Sequence, residues 1–91
     1  MGDVPADVQQ KIRRFVERMT SEERMLVVLR QELYDGSWND METDLRARLD
    51  GRPYIFKLAH RIADDLDRIR RLRRFEQSVG ADLTDYVDIE P

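Results

Sequence analysis

The most regular pattern in the chain lies in Ile55-Phe56-Lys57-Leu58-Ala59-His60-Arg61-Ile62-Ala63-Asp64-Asp65-Leu66-Asp67-Arg68-Ile69. Ile55, Leu58, Ile62, Leu66 and Ile69 are spaced 3-4-4-3. At 3.6 residues per turn they fall on one stripe, and charged residues fill much of the remaining circumference. That is the pattern of a helix with one face on a core. Ala59 sits at the stripe's edge, where a small side chain lets a neighbour approach.

Downstream the pattern shifts. Arg73 and Glu76 occupy positions where the stripe would continue, and Leu72, Phe75 and Val79 take over after a three-residue step. The predicted helix runs over about 53–78, opened by Pro53 and stopped by Gly80, and spans roughly 39 Å. Residues 80–91 carry only acids among their charged groups and read as a disordered tail, leaving 1–79 as a single helical domain. Tyr86-Val87-Asp88-Ile89 alternates, but four residues are weak grounds for a strand.

Upstream, Asp50-Gly51 is a helix stop, and Trp38, Met41, Leu45 and Leu49 mark a shorter amphipathic helix before it. Ser37 can cap that helix, and Gly36 can take the left-handed conformation that ends the previous one. The first helix candidate begins near Asp3 as a cap, with Pro5 in its first turn and Val8, Ile12, Phe15 and Met19 as its apolar face. Thr20 with Glu23 fits a capping box, which starts a new helix. Against that, positions 8, 12, 15, 19, 22, 26, 29 and 33 form one 4-3 series spoiled only by Glu22, so a single helix over 5–34 is the alternative. The capping box has the more direct mechanism, and a break at Thr20 is the preferred reading.

The expected fold is therefore all-α: a small up-down bundle of three to four helices with a long C-terminal amphipathic helix. A folded 10.9 kDa chain should expose roughly 5,600 Å². A core this small is marginal without help, and the long helix outruns the one before it. Both points favour self-association, as a dimer or with a partner helix. The end carrying Leu72, Phe75 and Val79 needs cover and is the candidate interaction surface.

Composition excludes several functions. With no cysteine there is no disulfide framework, thiol nucleophile or Cys-based zinc site. The longest apolar run, Met25 to Leu29, is too short to span a membrane. Acidic Asp3 and the lack of an apolar run beside it do not read as a signal peptide, and a cytoplasmic location is expected. The four glycines are scattered singly, so no phosphate-binding loop is present, and no cofactor is expected. His60 is the single histidine and shares a helix face with Asp64 and Asp67. The same acids stand one turn before Arg68, Arg70 and Arg71, which is ordinary helix support, and the metal reading is the weaker one. No nucleophile–base pair is evident, so an enzyme is not expected.

Arginines at 68, 70, 71, 73 and 74 form the densest charge feature in a chain of net charge −3. Arg70, Arg73 and Arg74 make one patch that could neutralise phosphates. Overall acidity makes nucleic acid the less expected partner. Residues 20–41, from Thr20-Ser21-Glu22-Glu23-Arg24 through Tyr34-Asp35-Gly36-Ser37-Trp38 to Met41, resemble the start of DNA-binding region four of bacterial sigma factors. The likeness covers under a quarter of the chain. It implies a helix-turn-helix, but the family's next turn would need a glycine well before Gly51, so no functional residue is carried over. The functional expectation is a non-catalytic interaction or oligomerisation module. The alternative is a helix-turn-helix-like regulator using Arg70, Arg73 and Arg74.

Overall fold

The computed structural model describes residues 5–51 and 56–87, with side chains described outside 51–59. Four helices follow in order: α1 (Ala6–Glu17), α2 (Ser21–Leu33), α3 (Trp38–Gly51) and α4 (Phe56–Val79), then a 3-10 turn over Leu83–Asp85. The chain is all-α, as its periodicity implies.

The break between α1 and α2 is a capping box with both halves formed. The Glu23 N–H donates to the Thr20 hydroxyl at 3.2 Å, and the Thr20 N–H donates to Glu23 Oε1 at 3.0 Å. Two otherwise orphaned N–H groups are satisfied reciprocally, so a single helix over 5–34 does not form. Arg24 closes the other side of the joint by donating to the Val16 carbonyl at 2.6 Å, in the last turn of α1. Pro5 lies one position before α1 rather than in its first turn, and its carbonyl accepts from the Gln9 N–H at 2.9 Å. Asp3 lies outside the described residues.

α2 ends at Tyr34, and Asp35 and Gly36 both take left-handed φ, 51° and 82°. The Gly36 N–H returns to the Arg30 carbonyl at 3.0 Å. Ser37 then caps α3, accepting from the Asp40 N–H at 3.1 Å. α3 runs unbroken for 14 residues and packs antiparallel on α4. Trp38 meets Glu76, and Glu42 meets Arg73. The short helix and recognition helix of a sigma-like helix-turn-helix do not follow α2.

The core gathers Ile12, Val16 and Met19 from α1, Leu26 and Val27 from α2, Trp38 and Met41 from α3, and Ile69 and Leu72 from α4. Ile62 and Leu66 are also buried, but they lie outside that cluster, in the part of the α3–α4 hairpin that projects from it. Ile55 lies outside the described residues, and Leu58 and Ala59 lie outside the described side chains.

The segment after Gly80 corrects the expectation of a disordered tail through Val87. Leu83 is 1% exposed and Val87 is buried with it in the core cluster. A single 3-10 turn turns these two apolar side chains inward, which period-based reading of four or five residues does not detect. Residues 88–91 lie outside the described residues. No strand occurs among the described residues.

Candidate interaction surface

Leu72, Phe75 and Val79 are covered by the chain itself. Leu72 is 0% exposed, and Phe75 and Val79 are half-buried against the core. The Phe75 ring stacks on Phe15 of α1, with centroids 3.8 Å apart and planes within 11°. The break at Thr20 brings α1 back over the C-terminal end of α4. The proposed surface of Leu72, Phe75 and Val79 is thus mainly an internal contact, and the correction has a simple cause. Periodicity identifies a face that must be covered, but not the element that covers it.

The arginine run is largely paired within the chain. Arg68 meets Asp65 at 2.7 Å, Arg70 meets Asp67 at 3.5 Å, and Arg73 meets Glu42 at 2.7 Å. Arg71 pairs with the buried Glu23 and lies 4.8 Å over the Phe15 ring. Only Arg74 of the five has no ion pair among the described residues. Arg70 and Arg74 flank a shallow open depression beside Phe75, whereas Arg73 points to α3, so the three do not form one free patch.

Elsewhere the polar side chains taken out of water serve the fold. Arg30 is 1% exposed and reaches Glu76 of α4 and both Asp82 and Thr84 of the C-terminal segment. Its guanidinium lies 4.1 Å from the centroid of the Trp38 ring, while its Nε has no partner. The Tyr34 hydroxyl donates to Asp44 at 2.5 Å, tying the end of α2 to α3. That hydrogen bond, with burial and the Asp44 charge, raises the Tyr34 pKa above its ordinary value. His60 and Asp64 are both exposed, and no group of three potential metal ligands occurs among the described residues.

What remains open is one flank of α2. Met25 is 54% exposed and Leu33 is 67% exposed, with half-buried Leu29 between them. They are spaced four residues apart and form one ridge. Alongside runs a groove of about 380 Å³ between α2 and α4, bordered by Met25, Leu26 and Leu29 on one side and by Arg61, Asp64, Asp65 and Arg68 on the other. Glu22 stands at one end of it, with its carboxyl pKa lowered mainly by a backbone hydrogen bond. The sequence reading placed Leu29 and Leu33 in the core series. Met25 to Leu29 is apolar without interruption, so its periodicity could not choose a face. The inward turn of Arg30 chose it.

The molecule is elongated. It measures 48 × 26 × 23 Å, with a radius of gyration of 14.3 Å against the roughly 12 Å expected of a globular chain of this length. It exposes 6646 Å², about 1,000 Å² more than the scaling for its mass. No helix among the described residues is long and apolar enough to cross a membrane. Comparison with protein-family models, curated proteins and solved structures gives no match for this chain.

Proposed function

We propose that this chain is a small, non-catalytic helical interaction module that works in the cytoplasm as a homodimer. The observation that carries the reading is the uncovered apolar ridge of α2, Met25-Leu29-Leu33, on a molecule with more surface than its mass calls for. Solvating such a ridge is unfavourable, and a partner removes it from water. The buried polar groups support the same reading. Glu23, Arg30 and Glu76 are engaged with one another's elements and build the fold.

Light scattering at tens of micromolar, with thermal melts across a concentration series, tests the reading. A dimer's thermal midpoint rises with concentration by mass action. A monomeric mass with a concentration-independent midpoint removes it. The nucleic-acid alternative through Arg70, Arg73 and Arg74 has less support, because two of those three already hold acids of their own chain. A fluorescence titration with random-sequence duplex at about 150 mM salt separates the two readings. Micromolar binding abolished by replacing the three arginines with Gln would favour the alternative.

A further inference from the structure

We infer that the water-facing side of the α1–α4 contact docks an acidic peptide segment of a partner protein, with carboxylates of that segment on Arg70 and Arg74 and an apolar side chain against Phe75. This surface shares no bordering residue with the groove beside α2, and it does not depend on self-association.

The first argument is charge. The depression beside Phe75 measures about 620 Å³ and is bordered by Asp67, Arg70, Arg71, Arg74, Phe75 and Ser78. Three of its four charged neighbours are arginines. Asp67 meets Arg70 at 3.5 Å, and both side chains are exposed, so the pair is weak and open to exchange for a better one. Arg71 is held by Glu23 yet stays half in water. Arg74 has no ion pair among the described residues.

Helix α1 adds to the same surface. Phe15, which stacks on Phe75, has buried Ile12 and Met19 three and four residues away on its core side. Exposed Lys11 and Arg18 stand four and three residues away on its water side. Neither has an ion pair among the described residues. Asp7 is the acid of that stripe, about 12 Å along the axis from Phe15. Unpaired cations from two helices therefore flank the Phe15–Phe75 stack, in a chain whose net charge is −3.

The second argument is the arrangement on α4. Like charges three and four residues apart repel and weaken a helix. Arg74 stands at those distances from both Arg71 and Arg70. A carboxylate seated between them turns that repulsion into attraction.

The third argument selects among anions. Phe75 gives the depression an apolar wall, which suits an apolar peptide side chain and offers nothing to a phosphate backbone. Base stacking needs free ring faces, and Phe15 and Phe75 spend one face each on one another. A long polyanion also meets the repulsion of the whole acidic chain, whereas a short segment senses the cations within about 8 Å of it. A membrane surface is disfavoured because the exposed large apolar side chains, Met25 and Leu33, lie on α2 and not on this face.

The test uses the full chain and a fluorescent peptide of repeated glutamate–glutamate–leucine, about 12 residues long, read by anisotropy at about 150 mM salt. The wild-type chain should bind it, and a version with glutamine in place of glutamate should bind about 10-fold more weakly or worse. Joint Arg70→Gln and Arg74→Gln should raise the dissociation constant by about 10-fold or more. Ser78→Glu, which sets a carboxylate in the depression, should do the same. All three positions are exposed, so far-ultraviolet spectra should be unchanged. No binding at about 1 mM peptide, or binding that both variants leave unaltered, overturns the inference. Tighter retention of duplex DNA, single-stranded RNA or phosphatidylserine–phosphatidylcholine vesicles through the same arginines also overturns it, in favour of that polyanion. A monomeric chain that binds the peptide removes the self-association reading and upholds this one.

Discussion

The two terminal guanidinium nitrogens of Arg30 meet the two carboxylate oxygens of Glu76 at 2.7 and 2.9 Å, across 46 residues of chain. Both side chains are largely out of water, 2% and 12% exposed. Glu76 also accepts from the Trp38 indole N–H and from the Leu83 N–H, each at 2.7 Å. One carboxylate therefore joins α2, α3, α4 and the C-terminal segment. Its four donors satisfy the lone pairs that burial would otherwise leave costly.

Breaking this hub should be far more damaging than replacing it. Glu76→Ala leaves the buried Arg30 guanidinium with only the half-exposed Asp82 as a carboxylate partner and orphans two donors, so the loss in urea denaturation should fall toward the lower end of about 3–5 kcal/mol. Joint replacement by Arg30→Met and Glu76→Leu should cost less than the single change, since neither charge of this pair then remains in the interior. A single-variant loss below about 1 kcal/mol would show that the pair is not holding the elements together.

The segment after Gly80 should contribute to the core. Leu83 is 1% exposed, so Leu83→Ala should lose about 2–5 kcal/mol. A loss within about 0.5 kcal/mol, the range of an ordinary surface change, would mean that this segment does not pack as described.

Leu66 tests the projecting hairpin. It is 7% exposed but outside the main core cluster. Leu66→Ala should cost about 2–5 kcal/mol, toward the lower end because the surrounding arm can relax into the space. Equilibrium denaturation showing no measurable change would mean that α3 and α4 do not close over this position.

Acid should loosen the C-terminal segment. Burial pushes the Asp82 carboxyl up, but hydrogen bonds from the Thr84 hydroxyl and backbone N–H, together with Arg30, bring it below its ordinary value of 3.8. A depressed folded-state pKa gives stability that is complete above the unfolded value and is lost as pH falls through the folded one. Between about pH 5 and about pH 2.5 the wild-type thermal midpoint should therefore fall more steeply than that of Asp82→Asn. Parallel curves would contradict a folded-state role for the Asp82 carboxylate. The effect is modest, because the Asp82 side chain is 53% exposed.

Local features were legible wherever the deciding groups lie within a few residues of each other. Thr20 and Glu23 start α2 through bonds that span three residues. Ser37 caps α3 over the same distance, and Gly36 takes the positive φ that ends α2. The α4 stripe predicted burial of Ile62, Leu66 and Ile69 correctly.

Which apolar side chains stay exposed was not legible in the same way. Leu72 and Phe75 announce an apolar face, and the chain covers it with Phe15 of α1. Leu33 fits an apolar series and ends exposed. Arg30 carries a full charge and ends almost completely buried.

Helix type, helix ends and the all-α class follow from the sequence by itself, because capping and 3.6-residue periodicity are short-range properties of the backbone. Which face turns inward is a competition among several elements for the same volume. On α2, where apolar side chains run all round, that competition was decided by a carboxylate 46 residues away, at Glu76, drawing Arg30 inward. Turning Arg30 toward the core left Met25 and Leu33 in water, and only the tertiary structure records that outcome.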